Sequence, residues 1–228
     1  MNIAILGGTG DEGLGLAMRF ALAGDQILIG SRSQERAEQA AQTVRDTVPS
    51  AAVSGRANED AAASADIVIL SVPYGGQRAT LESLATILQG KTLVSVVVPL
   101  QFGKGGPHAV RVAEGSAAEE ARAILPDVAI ASAFHNLSAT KLMDVQSDLD
   151  CDVVVCSDDA AAKRLTMELA ETMKGVRALD GGALAYSRYV EDLTALILAM
   201  NRRYKAHASV RFTNLTVPEV APIDGQRS

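Results

Sequence analysis

Ile3-Ala4-Ile5-Leu6-Gly7-Gly8-Thr9-Gly10-Asp11-Glu12-Gly13 is the stretch that decides the fold. Four apolar residues in a row read as a strand buried on both faces, as in a parallel sheet, rather than a half-exposed one. Gly8-x-Gly10-x-x-Gly13 follows at once and opens a helical pattern from Leu14 to Leu22. In a strand–turn–helix unit of this kind one glycine permits the tight turn and a second lets backbone approach a pyrophosphate. The third allows helix and strand to pack closely. The N–H groups at the helix start, at the positive end of its dipole, then face the phosphates. The stretch therefore predicts dinucleotide binding.

Working outward, Gln26-Ile27-Leu28-Ile29 reads as a second strand that ends at Gly30-Ser31-Arg32. A site for NAD usually carries an acidic residue here, about 20 residues past the glycines, to accept hydrogen bonds from the ribose 2′-hydroxyl. This chain instead offers a hydroxyl, Ser31, a guanidinium, Arg32, and a second guanidinium, Arg36. A planar guanidinium suits phosphate oxygens, so the pattern favours NADP over NAD. A solvated helix start would show the same two arginines without any ligand.

Helices are expected over Ser33–Val48, with Ser33 as N-cap, and over Asn58–Ala65, Gln77–Leu88, Ser116–Leu125 and Ala160–Met173, the last capped by Ser157-Asp158-Asp159. Strands are expected at Ala51–Gly55, Asp66–Leu70, Lys91–Val98, Val128–Ala133, Val153–Cys156 and Val176–Ala178. Strand alternating with helix predicts a doubly wound α/β fold with a parallel sheet. Val72-Pro73-Tyr74 and Phe134-His135-Asn136-Leu137-Ser138-Ala139 then fall at the carboxyl edge of that sheet, where ligands of such folds bind. Leu100 to His108 reads as a loop from its glycine and proline content and is a candidate lid, with Lys104 available to an anion. Tyr186–Tyr204 reads as a long helix, apolar on nearly all sides at its centre, and so as buried between two parts of the chain or against a second subunit. The order suggests a dinucleotide-binding part over 1–150, a smaller α/β part over 151–215 and a loose tail over 216–228.

The bulk properties narrow the partners. An apolar share of 48% supports a substantial core, and a formal net charge of −6 argues against nucleic acid or an anionic membrane surface. No apolar run approaches the roughly 20 residues that span a bilayer. Cys151 and Cys156 lie five apart with no metal-ligand spacing around them, so two buried, reduced thiols are expected. Ile3–Leu6 is too short for a leader, which points to a cytoplasmic protein.

The catalytic signatures that are missing also inform. Tyr74, Tyr186, Tyr189 and Tyr204 are followed four residues on by Arg78, Val190, Leu193 and Ala208, so no Tyr-x-x-x-Lys acid pair exists. A Gly-x-Ser-x-Gly elbow and a metal-ligand cluster are absent too. Of His108, His135 and His207, His135 alone falls at a strand end facing the crevice, where it would act as a general acid or position a ligand ring. Without a clear acid, hydride transfer between two cofactors becomes attractive, because it needs juxtaposed rings and exclusion of water more than proton chemistry. A reductase of a flavin or small carbonyl compound, using His135, and a non-catalytic NADP-sensing module remain as alternatives.

Gly7-Gly8-Thr9-Gly10-x-x-Gly13, Gly30-Ser31-Arg32 with Arg36, Val72-Pro73, Val98-Pro99, His135, Val155-Cys156-x-Asp158-Asp159 and Leu179-Asp180-x-Gly182 with Ser187-Arg188 together give the chain a resemblance. From Met1 to about Leu215 it resembles the NADPH-dependent reductases of the deazaflavin coenzyme F420. The resemblance implies a Rossmann-type domain with a smaller C-terminal part, a homodimer, and reversible hydride transfer between NADP(H) and F420. Carried over by position, it implies that Thr9, Gly10, Asp11 and Glu12 hold the pyrophosphate, and Ser31, Arg32 and Arg36 the 2′-phosphate. Val98 and Ala139 would line the nicotinamide end, and His135 and Leu137 would approach the deazaflavin.

Overall fold

The computed structural model describes residues 1–217. The expected tail therefore lies, from 218 onward, outside the described residues. The first half of the chain runs β1 (Asn2–Leu6), α1 (Asp11–Leu22), β2 (Gln26–Ser31), α2 (Gln34–Thr47), β3 (Val53–Ala57), α3 (Asn58–Ala63), β4 (Ile67–Leu70), α4 (Tyr74–Leu84) and β5 (Thr92–Ser95). After it come β6 (Leu100–Gly103), β7 (Gly106–Ala109), α5 (Ala117–Ile124), β8 (Ala129–Ser132), α6 (Ala139–Met143), β9 (Cys151–Ser157), α7 (Ala160–Glu171), β10 (Val176–Asp180) and α8 (Ser187–Tyr204).

Eight strands form one sheet in the order β10-β9-β8-β5-β4-β1-β2-β3. β1 lies within it between β4 and β2, parallel to both neighbours, with Ile3 opposite Ile27 on one side and Ile67 on the other. Side chains alternate between the two faces of a strand. Ile3 and Ile5 accordingly join a core with Leu16 and Phe20 of α1, Ala37 and Ala41 of α2 and Leu169 of α7. Ala4 and Leu6 join a second core with Ala61 of α3, Leu81 and Leu84 of α4 and Ala121 of α5. A strand flanked by two cores has no solvent face, which is why its sequence reads apolar throughout. Each fully buried leucine or isoleucine contributes about 2 kcal/mol through area removed from water. Helix starts follow their caps: Ser33 Oγ accepts from Arg36 N–H at 3.3 Å and Asp159 Oδ1 from Ala162 N–H at 2.7 Å. Cys151 and Cys156 both lie buried and unbridged in β9, and burial pushes each thiol up to about 11.

Several expectations need correction. The sheet is mostly parallel, but β9 runs antiparallel to β8, pairing Ala131 with Ser157 and Ser132 with Cys156. β10 then runs parallel to β9, so the chain after residue 150 extends the same sheet. The expected loop at Leu100–His108 is an antiparallel hairpin, β6 with β7, turning at Lys104-Gly105 and packed against α8. Its glycines and Pro107 hid two short strands whose pairing partner is local. The helix expected over Gln77–Leu88 begins earlier, with Tyr74 as the first residue of α4. The helix α8 is not buried all round: its buried residues are Ser187, Val190, Glu191 and Ile197, while Tyr189, Leu196, Met200 and Tyr204 are exposed. No helix of the described residues is long and apolar enough to cross a membrane.

Candidate active site

The carboxyl ends of β1, β2, β4, β5 and β8 open on one cleft of about 1710 Å³. It sits where the strand order reverses between β1 and β4, the place at which an open α/β sheet leaves a crevice. Gly7 turns the chain out of β1 at φ +77°, and a Cβ there would meet the carbonyl oxygen of Ser71 at 2.5 Å. Gly13 packs so close that a Cβ would lie 2.7 Å from Gly8 Cα. These contacts bring the turn and the first residues of α1 to the cleft floor, where Thr9, Gly10, Asp11, Glu12 and Gly13 line it. Gly8 is set behind them and does not line it; its nearest neighbours are Ile5 and Ile29.

The start of α1 has no side-chain cap, since Gly10 occupies the N-cap. The N–H groups of its first turn, which need partners in any folded helix, are thus left to whatever enters the cleft. Glu12 faces the same place. Burial pushes its carboxyl up to about 8, and its Oε1 is buried with no hydrogen-bond partner. The carboxyl is mostly uncharged at neutral pH, so it adds little repulsion toward an anion.

At the end of β2, Ser31, Arg32, Ser33 and Arg36 line the adjoining part of the cleft with Asn58. Ser31 Oγ accepts from Ser33 N–H at 3.2 Å, which fixes the turn that carries Arg32. Neither Arg32 nor Arg36 forms an ion pair among the described residues. Two unpaired guanidiniums lining one part of the cleft, the first just before α2 and the second in its first turn, are suited to a phosphate. Val72, Pro73 and Tyr74 after β4, and Val96, Val97 and Val98 after β5, form the next wall.

Opposite them run His135, Asn136, Leu137, Ser138, Ala139 and Thr140. Phe134 makes the turn after β8 at φ 70° and buries its ring edge-on against Phe20, with centroids 5.8 Å apart. His135 O accepts from Thr194 Oγ1 at 2.9 Å, and Asn136 Nδ2 donates to Asp152 O at 3.0 Å. The His135 ring is 4% exposed, both ring nitrogens lack partners, and burial lowers its pKa to about 4. It is a neutral imidazole at physiological pH.

Sequence reasoning missed the last wall, which comes from Thr194, Ile197, Leu198 and Asn201 of α8 and from Ala206, His207 and Ala208 beyond it. Asn201 Oδ1 accepts from Ala208 N–H at 2.7 Å, and Ser138 Oγ lies 3.4 Å from His207 Nδ1. The spacing of Thr194, Ile197 and Asn201 places them on one helix face, and that was the available signal. Lys104 and His108 lie on the hairpin and do not line the cleft. No group of His, Cys, Asp or Glu among the described residues is arranged to hold a metal ion.

Comparison with known proteins bears on this cleft. Residues 2–99 match the family described as NADP oxidoreductase, coenzyme F420-dependent. The F420-dependent NADP reductase of Methanothermobacter thermautotrophicus is 44% identical, covering 96% of this chain and 97% of that protein. The chain belongs to the F420-dependent NADP reductase family. Another member of this family, from Methanocaldococcus jannaschii, is 40% identical over 95% of this chain and 100% of that protein. Among solved structures, a candidate F420-dependent NADP reductase from an Arthrobacter species superposes with a TM-score of 0.81 at 26% identity. It covers 94% of this chain and 100% of that one. Family membership thus agrees with the resemblance read from the glycine fingerprint, the Ser31–Arg32 pair and the strand-end residues.

Proposed function

We propose that this chain transfers a hydride reversibly between NADP(H) and the deazaflavin coenzyme F420. The observation that carries the reading is the pairing, in one cleft, of an uncapped α1 start with the unpaired Arg32 and Arg36. The first offers N–H donors to a pyrophosphate and the second offers charge to a 2′-phosphate. When bound together, the two coenzymes supply the hydride donor and the hydride acceptor. The protein's part is to hold them and keep water out.

In this reading Thr9, Gly10, Asp11, Glu12 and Gly13 receive the pyrophosphate, with Gly8 supporting the turn from behind. Ser31, Arg32 and Arg36 take the 2′-phosphate. Val72, Pro73, Val98 and Ala139 line the nicotinamide end, and His135 and Leu137 face the second ring. A neutral His135 offers one donor and one acceptor nitrogen, which orient a ring and do not require the residue to give up a proton. That property favours transfer between coenzymes over a carbonyl reductase with an imidazolium acid. The functional division stays at 1–150 for NADP and 151–215 for the smaller part, which contributes α8 to the cleft.

The protein acts as a homodimer in the cytoplasm. Support for the dimer comes from the exposed Tyr189, Leu196, Met200 and Tyr204 of α8 and from Phe102 of the hairpin that packs against it. Large apolar side chains gathered on one surface mark an interaction site. Mixing the purified protein with NADPH and oxidised F420, and following the loss of F420 absorbance, tests the activity. Rapid reduction is expected; tight NADPH binding with no transfer to F420 overturns the reading.

A further inference from the structure

The two sides of the cleft are joined through one face of α1. Arg19, two turns below the glycine-rich start, is 3% exposed and has no carboxylate partner among the described residues. Its guanidinium instead donates to four backbone carbonyls of the segment after the cleft wall. Nε reaches Leu142 O at 2.8 Å and Nη1 reaches Ser147 O at 3.0 Å, while Nη2 reaches Lys141 O and Asp144 O, both at 2.6 Å. A buried guanidinium is tolerable only when its donors are satisfied, and here the carbonyls left over at the end of α6 satisfy them.

Gly15 lies one turn before Arg19 on the same face of α1. A Cβ at Gly15 would stand 2.5 Å from Leu142 Cβ and 3.4 Å from Ala139 O. The absent side chain therefore lets α6 lie directly on α1, and Arg19 fastens the far end. Ala139 and Thr140, at the other end of this short helix, line the cleft next to His135 and Leu137.

We propose that Arg19, with Gly15, is a positioning residue for the second substrate: it sets where the His135–Thr140 wall stands relative to the pyrophosphate loop. This rests on the proposed hydride transfer. The loop Gly7–Gly13 is held by β1 and by the Gly8–Gly13 contact, roughly 12 Å up the helix from Arg19 at 1.5 Å per residue. Loosening Arg19 thus displaces one wall and leaves the other in place. A misplacement of about 1 Å is enough to cost up to roughly 100-fold in turnover efficiency.

The test compares wild type with Arg19→Met, Arg19→Lys and Gly15→Ala. It measures NADPH affinity by calorimetry, KM and kcat with F420, and amide hydrogen exchange over residues 138–148. Arg19→Met and Gly15→Ala are expected to keep NADPH affinity within a few-fold, because the phosphate-binding side is untouched and Ala139 alone of the NADP lining shifts, to accelerate exchange in 138–148, and to lower kcat/KM for F420 about 10- to 100-fold. Arg19→Lys, which keeps the charge but not the fork, is expected to fall between wild type and Arg19→Met. Gly15→Ala keeps every hydrogen-bonding group, so it carries the test if Arg19→Met fails to fold. Equal losses of NADPH affinity and F420 efficiency, or unchanged F420 kinetics in a folded variant, overturn the inference. Wild-type protein that binds NADPH without reducing F420 overturns the proposed function instead.

Discussion

Asp152 and Arg177 form a two-pronged ion pair beneath the His135 wall, with Arg177 Nε and Nη2 donating to Oδ1 and Oδ2 of Asp152 at 2.8 and 2.7 Å. Asp152 is fully buried and accepts two further bonds, from Arg211 Nη1 at 3.2 Å and Phe212 N–H at 2.6 Å. Its own backbone carbonyl accepts from Asn136. The carboxylate thereby ties the segment after α8 to β9 and β10, while the backbone carbonyl of the same residue supports a cleft residue.

Replacing Asp152 with Ala is expected to cost about 3 kcal/mol, the lower end for breaking a buried pair, because both arginines can turn to water. For a chain of this size that lowers Tm by roughly 10 °C at pH 7. Burial alone would raise the Asp152 carboxyl, but the bonds from Arg177, Phe212 N–H and Arg211 outweigh it and hold it below the usual range. Its contribution is therefore present above the ordinary carboxylate pKa and is lost as the pH falls through the depressed one. Acid unfolding of Asp152→Ala should show a shallower pH dependence below pH ~4 than wild type.

Arg32→Ala should weaken NADP binding by about 2 kcal/mol, or some 30-fold, by removing a charge-assisted contact to the 2′-phosphate. NAD binding should scarcely change. Calorimetric titration with both dinucleotides measures this, and equal losses would contradict the assignment.

His135 gives a pH test of the cofactor-free protein. Its pKa of about 4 lies below the ordinary 6.5, so between those values the unfolded chain holds the extra proton. Stability should rise with pH through that window and be complete above it, with a total change of roughly 3 kcal/mol from this one group. Denaturant unfolding of wild type and His135→Phe at successive pH values checks it. The variant should lose that part of the slope. The rate of hydride transfer should show no step between pH 6 and 8 assignable to His135, roughly two units above its pKa.

The α8 surface yields a fourth expectation. Leu196 and Met200 are 57% and 43% exposed, and a pair of lysines there removes about 2 kcal/mol per side chain from a dimer contact. Analytical ultracentrifugation should find wild type dimeric and the Leu196→Lys/Met200→Lys protein monomeric, with its helix content unchanged.

Much of this molecule was readable before its structure because the strong signals are local. Ile3–Leu6 and Ile67–Leu70 announce strands buried on both faces, and Ser33 and Asp159 mark helix starts through bonds within one turn. What stayed hidden depends on distant parts. The hairpin β6–β7 is spelled in glycine and proline, and five residues of α6 give no period to detect. The direction of β9 is a matter of which edge it meets, since an apolar run such as Val153–Val155 reads the same either way. In the cleft, Arg32 and His135 were visible as chemistry at strand ends. Thr194, Asn201 and His207 were not, because α8 looked like core, and its apolar face is in truth exposed. Arg19 read as an ordinary helix charge, for its partners are backbone carbonyls more than 120 positions away.

The reversal of β9 sets a border on the reacting region. Because β9 and β10 run against β8, the turns that follow them, around Ser157-Asp158 and Asp180-Gly181, emerge on the opposite rim of the sheet. Those turns are built into the fold: Leu184 N–H donates to Asp158 Oδ1 at 3.1 Å, Ser157 N–H to Gly182 O at 3.1 Å, and a Cβ at Gly181 would stand 2.5 Å from Val154 Cγ1. From there the chain enters α8, which walls the cleft through Thr194, Ile197 and Asn201, so a change on that rim should reach the hydride chemistry only by shifting this one helix.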